Sequence, residues 1–346
     1  MKNFFTQKIP VVYFLFITSF AILSTFLITF SYYHLVEPLQ SETFYSVPNK
    51  EASPTCDYNI RRLEGYNYIK PLLYVDKSCE TGIFKPIKQR IIEIIDKNKK
   101  QGRVYSVSVY VRDFNEGDFM VINEEEKYKS ASLMNVPLLM TYLHLDEDKA
   151  GYLDKEIVLG HNYPTKNNRA KKEGKTVVGN KYSLRNLLEY MIVNGDDNAT
   201  GLLYENVDKK AFYKTFSDVG LEAPKEIGQE CTLSAADISL FMRTLYNATY
   251  LTINNSEYAT KLLGKNETQR KDALLGLPTS VKLASEQGAI IKKDDFEQHE
   301  SAIIYLDKCP YIITIMTKGN NPKQLTEVIN QISAAVYTKI AKKNIP

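Results

Sequence analysis

The 346-residue chain has no tryptophan, four cysteines and four histidines. The histidines (His34, His144, His161 and His299) are scattered and no two cysteines form a C-x-x-C pair, so no stretch has metal-site spacing. No metal and no cofactor is expected. An excess of charge of either sign is also missing: 44 Lys and Arg face 41 Asp and Glu, a net charge of +3. That balance argues neither for nor against an acidic partner, and no nucleic-acid partner is expected. The one basic run, "KNNRAKKEGK" at 166–175, reads as a solvated loop. Internal repeats and low-complexity tracts are absent. What is left is 44% hydrophobic and 25% charged, an ordinary balance that can bury a core.

Uncharged runs of membrane length are missing except at the start. From Val11 to Phe30 twenty residues pass without a charge. At about 1.5 Å per residue, they span a hydrocarbon core of roughly 30 Å. Lys2 and Lys8 precede the run, so the expected layout is a cytoplasmic tail at 1–9, a transmembrane anchor at 10–31 and an exported remainder. A cleaved signal peptide would have a shorter apolar region followed by small residues. "ITFSYYHLVEP" puts bulky residues there, which favours an uncleaved anchor.

Residues 32–55 are polar, carry three prolines and read as a linker. A pre-domain segment follows at 56–84, with enough apolar residues to pack onto the main domain at 85–346. Four cysteines allow three complete pairings. Cys56 and Cys79 are nearest in sequence, and a bridge between them would staple the pre-domain segment in an oxidising compartment.

The periodicity predicts a helix over 85–99, with Ile87, Ile91, Ile94 and Ile95 on one face. "RVYSVSVYVRD" and "FMVINEEE", joined by "NEGD", read as a β-hairpin with Tyr105, Val107, Val109 and Val111 on one side. A buried helix is expected from Ser130 to about His144. The middle is helical, with Ser234 and Asp237 spaced to cap one of its helices. Three late strands come from "SVKLASEQGAII", "ESAIIYLD" and "YIITIMTKG". A last helix over 323–342 turns Leu325, Val328, Ile329, Ile332 and Val336 inward. The order predicts an α+β fold: a five-stranded antiparallel sheet with the terminal helices on one face and a helical half on the other.

Three short stretches in this order are similar to the motifs of the serine β-lactamase and penicillin-binding-protein family, in particular its class A-like hydrolases. The resemblance covers roughly 85–343. The family's S-x-x-K falls on Ser132-Leu133-Met134-Asn135, at the start of the buried helix. Its S-D-N falls on Gly195-Asp196-Asp197 within "GDDNATGLL", or on Asp196-Asp197-Asn198 if the frame slides by one. Its K-T-G falls on Glu286-Gln287-Gly288 within "LASEQGA". The resemblance implies a β-lactamase-like fold and makes Ser132 the candidate nucleophile. It puts an oxyanion hole at the backbone N–H groups of Ser132 and Ala289, with Gln287 and Gly288 as binding positions.

The same alignment shows what the chemistry lacks. A serine hydroxyl needs a neighbouring base at neutral pH, and the family lysine one turn on supplies it. Asn135 stands there, and an amide takes no proton at pH 7. Gly195 cannot relay a proton as the family serine does. Glu286 reverses the sign of the third-motif lysine, a change of about 4 kcal/mol at ~4 Å and an effective dielectric near 20. The stretch "ECTLS" (230–234) is read as a helix start rather than as the family's deacylating glutamate motif. The expectation is an impaired or inactive homologue, retained to bind a cell-wall peptide, a β-lactam or a protein ligand. The alternative is an active hydrolase in which Glu286 or Asp197 of the Asp196-Asp197 pair replaces the base.

Overall fold

The computed structural model describes residues 23–27, 29, 30, 57–77, 79, 80, 82–164, 175–228, 231–265, 275–292 and 295–342. The chain divides into two units, residues 1–55 and 56–346. In the first, residues 23–27, 29 and 30 are helical. Most of the expected anchor at 10–31 lies outside the described residues. Among those described, no helix is long and apolar enough to cross a membrane.

The second unit opens with a hairpin, β1 (Tyr58–Arg62) and β2 (Leu72–Lys77). Next come α1 (Lys85–Lys100), β3 (Ser106–Asp113), β4 (Phe119–Ile122), the short β5 (Tyr128–Lys129) and α2 (Asn135–Asp148). The helical half holds β6 (Glu156–Val158), β7 (Lys181–Ser183), α3 (Leu184–Glu189), α4 (Asp197–Asn206), α5 (Lys209–Val219), β8 (Thr232–Leu233), α6 (Ala235–Tyr246) and α7 (Ile253–Gly264). The chain returns through β9 (Lys282–Lys292), β10 (Asp295–Tyr305), β11 (Tyr311–Gly319) and α8 (Pro322–Lys342).

The main sheet has five antiparallel strands in the order β4-β3-β11-β10-β9, so β9 is an edge. One face packs on α1 and α8. Ile87, Ile91 and Ile95 of α1 meet Val107, Val109 and Val111 of β3 and Leu325, Val328 and Ile332 of α8 in one core. Each such side chain contributes about 1.5–3 kcal/mol of burial. Tyr105, expected on that face, lies ahead of β3 and is half exposed. The other face packs on the helical half in a second core built around Leu138, Leu139, Leu187, Phe216, Phe241 and Met242. Ser234 and Asp237 form the expected capping box of α6.

The hairpin of β1 and β2 is fastened to the domain by polar contacts. Arg61 Nε donates to Asp218 O at 2.9 Å, and its guanidinium also reaches Ser217 O. The Tyr74 hydroxyl donates to Val219 O at 2.8 Å. These carbonyls close the last turn of α5, where a helix leaves acceptors unmet and favours a cation. Asp76 binds Arg112 at 2.8 Å and also Arg243. Cys79 is disulfide-bonded, while Cys231 and Cys309 are buried thiols. Cys56, its expected partner, lies outside the described residues.

Candidate active site

A short 3-10 helix, Ala131–Met134, carries Ser132 and leads directly into α2. Two bonds fix its entry: Ser130 N and Ser130 Oγ both donate to Cys231 O, at 2.8 and 2.9 Å. Ala131 then takes φ +49°, a left-handed conformation that a non-glycine residue adopts at a cost. Ser132 follows that bend and is half-buried.

Edge strand β9 lies against this turn. A Cβ built on Gly288 would sit 2.8 Å from Ser130 O and 3.3 Å from Ala131 Cβ, so only glycine permits the approach. Ala289 follows it, 6% exposed. The third motif is thereby brought beside the first across more than 150 residues of sequence.

The strand alternation separates Glu286 from Gln287. Glu286, 4% exposed, lies on the face toward the helical half and accepts a hydrogen bond from Asn135 Nδ2 at 3.2 Å. Gln287 lies on the opposite face and donates to Glu300 Oε2 at 3.2 Å, where both side chains are buried. Glu286 and Gly288, not Gln287, therefore face the helical half.

The second motif sits where the π-helical turn Tyr190–Asn194 ends at Gly195, φ +63°. Asp196 is buried and caps α4. Its carboxylate accepts from Ala199 N at 3.0 Å, Thr176 N at 2.9 Å and Thr176 Oγ1 at 3.0 Å. These bonds make Asp196 a cap that ties residue 176 to the helix start. Asp197 is the first residue of α4, half-buried, at the end where the helix dipole favours negative charge.

Tyr204 was not anticipated. It lies seven residues after Asp197, two turns along the same face of α4, and its hydroxyl donates to Met134 O at 3.2 Å. Burial pushes the Tyr204 hydroxyl up from its ordinary pKa, and the nearby Cys231 and Glu286 add to the rise. It stays a neutral hydrogen-bond donor. The i, i+7 spacing from Asp197 is the sequence signal that could have found it.

A second polar cluster lies further along β10. Glu297 Oε2 accepts from Lys129 N at 2.8 Å and lies 3.6 Å from His299 Nε2. Thr317 N donates to His299 Nδ1, so the ring proton sits on Nε2, 3.2 Å from Lys129 O. Burial pushes the Glu297 carboxyl up, but the His299 and Lys129 contacts outweigh it and hold the group below its ordinary value. Among the described residues no group of His, Cys, Asp and Glu could hold a metal ion.

The fold, with the Ser132 turn against the Glu286–Gly288 stretch of β9, defines a β-lactamase-like architecture. The family model of the beta-lactamase enzyme family matches residues 86–340, and the chain belongs to that family. Its fold is similar to that of PBP-A, at 16% identity and a TM-score of 0.62 over 75% of this chain and 97% of the other. It is also similar to the TLA-1 extended-spectrum β-lactamase, at 16% identity and a TM-score of 0.65 over 74% and 99%. A β-lactamase from Chitinophaga pinensis aligns at 17% identity and a TM-score of 0.63 over 74% and 100%. No curated protein matches the chain in sequence.

Proposed function

We propose that the chain is a member of this family that binds a ligand in its cleft without turning over β-lactams. Residues 10–31 would hold it at the membrane, with the family domain on the outer side. The observation that carries the reading is the Asn135–Glu286 hydrogen bond at 3.2 Å. Both residues stand where the motifs call for lysine. One contact thus accounts for the lost base and for the reversed charge opposite a substrate carboxylate. An amide that donates to Glu286 takes no proton from a serine. General acid–base help is worth roughly 10²–10⁴ per group, and with both lysines and the relay serine replaced the turnover falls accordingly. The ligands that fit are a cell-wall peptide, a β-lactam held without turnover, or a protein.

The same bond favours a second reading. It holds the buried Glu286 carboxylate one hydrogen bond from the residue that follows Ser132 by one helical turn. In that reading Glu286 serves as the base, Ser132 attacks an ester or amide, and the N–H groups of Ser132 and Ala289 receive the oxyanion.

Intact-mass analysis of the full chain in detergent separates the two. The protein is incubated with a fluorescent penicillin or a fluorophosphonate, with Ser132→Ala as control. The expected result is no mass increase with either probe. An increase that disappears in Ser132→Ala would establish an activated serine and replace the first reading with the second.

A further inference from the structure

The hairpin that precedes the family domain exposes an unusual surface. Tyr68 is 99% exposed, Tyr58 63%, Ile69 60%, Ile60 54%, Tyr66 51% and Leu72 44%, all within fifteen residues of chain. Among the other described residues of the 56–346 unit the exposed large apolar side chains are Tyr105, Ile253 and Ile291, each alone, and Val158, Val177 and Val178 around the β6–β7 connection. Six exposed large apolar side chains on one hairpin mark a surface that meets something other than water.

The chemistry of the patch identifies the partner class. Three tyrosines present an apolar ring with a polar tip, the shape that suits a lipid–water boundary. Two isoleucines and a leucine supply the apolar remainder. From Tyr58 to Leu72 the charges are Arg61, Arg62 and Lys70 against Glu64, a net of +2, and Arg62 and Lys70 are exposed. Basic residues beside a membrane-facing patch favour anionic lipid by about 1 kcal/mol each. The sequence puts 26 residues, 32–57, between the expected span and Tyr58. Covalent geometry caps the reach of 26 residues at about 90 Å, so a span at 10–31 would keep the hairpin near the bilayer.

We propose that the outer face of the β1–β2 hairpin docks on the anionic lipid surface of the membrane. The inference rests on the membrane attachment proposed above. The inner side of the hairpin is fixed to the domain by Arg61, Tyr74 and Asp76. Lipid contact at the hairpin would therefore set the orientation of the whole family domain, and with it the direction in which the Ser132 turn faces.

The absence of tryptophan supplies a clean probe. Tyr68→Trp in the full chain introduces a single indole at the most exposed point of the hairpin, and Tyr105→Trp serves as a control away from it. Each variant is reconstituted into phosphatidylglycerol/phosphatidylcholine vesicles and recovered by flotation. The expected result is a blue-shifted Tyr68→Trp emission that brominated lipid quenches, with no change for Tyr105→Trp. Arg62→Glu with Lys70→Glu, added to Tyr68→Trp, should reverse the shift. Protein that floats with vesicles while its Tyr68→Trp emission stays that of a solvated indole overturns the hairpin inference and leaves the anchor intact. Protein that fails to float overturns the anchor reading and this inference with it. A blue shift that rises with protein concentration and ignores brominated lipid indicates pairing with a second copy and overturns lipid docking.

Discussion

Two carboxylates, Asp76 and Glu286, each join parts of the chain that are far apart in sequence, and they do so with opposite chemistry. Asp76 is met by two guanidiniums, those of Arg112 and Arg243, both almost fully buried. Glu286 accepts from a neutral amide, Asn135, beside a turn that carries a half-buried serine and a strained backbone residue. At Asp76 charge is balanced by charge, and the product is a fixed hairpin. At Glu286 the partner is a neutral amide, and the carboxylate keeps its charge without a cation opposite it in that bond. The first junction builds architecture, and the second carries the proposed loss of turnover.

The largest expected effect falls on the architectural side. Asp76→Ala leaves two buried guanidiniums facing each other and should cost about 3 kcal/mol in urea unfolding. A loss below about 0.5 kcal/mol would show that the hairpin is not fastened through this residue. Gly288→Ala comes next, because its Cβ would meet a backbone carbonyl 2.8 Å away. We expect about 1–3 kcal/mol of destabilisation, together with displacement of β9 from the Ser132 turn. A variant as stable as the parent would mean that the strand and the turn separate freely.

On the site side, effects on stability should be small and effects on chemistry informative. Glu286→Gln keeps an acceptor for Asn135 and should change stability by less than about 1 kcal/mol. In the binding reading it leaves probe labelling absent, whereas in the base reading it removes labelling that the parent shows. Asn135→Lys should place an ammonium against Glu286 and still give no β-lactam turnover. Clear hydrolysis of a chromogenic cephalosporin by that single variant would contradict the binding reading.

The smallest effect concerns pH. Glu297 is held below the ordinary carboxylate pKa of 4.5, so its folded form binds a proton less readily than its unfolded form. Its contribution is present above that value and is lost as the pH falls through the lower folded pKa. Glu297→Gln should therefore flatten the acid limb of a stability–pH curve and leave the neutral region parallel to the parent. An unchanged acid limb would remove Glu297 as a contributor.

The terminal helices were legible because Ile87, Ile91 and Ile95, and Leu325, Val328 and Ile332, repeat at helical spacing over long runs. The predicted last helix begins one residue after the observed α8 and ends with it. The β1–β2 hairpin was less legible: its outer face remains apolar and exposed, so no in–out alternation marks the strands. At the site, motif order put Ser132 at the entry to a helix and Glu286 and Gly288 on a late strand, and those elements are present there. It did not separate Asp196, spent as a cap on Ala199 and Thr176, from Asp197 beside it. It also did not show that Gln287 turns away from the helical half toward Glu300.

The sequence by itself determined the α+β order, the lysine-free motifs and the absence of metal spacing, because those follow from local periodicity and from residue identity. Only the tertiary structure decided that Asn135 donates to Glu286, that Tyr204 approaches Met134, and that Asp76 lies between two arginines. The partners in those contacts are 70 to 167 residues apart, except Asp76 and Arg112, which are 36 apart. No local pattern encodes such pairings. They follow from the packing of β9 on the Ser132 turn and of the hairpin on α5 and α6.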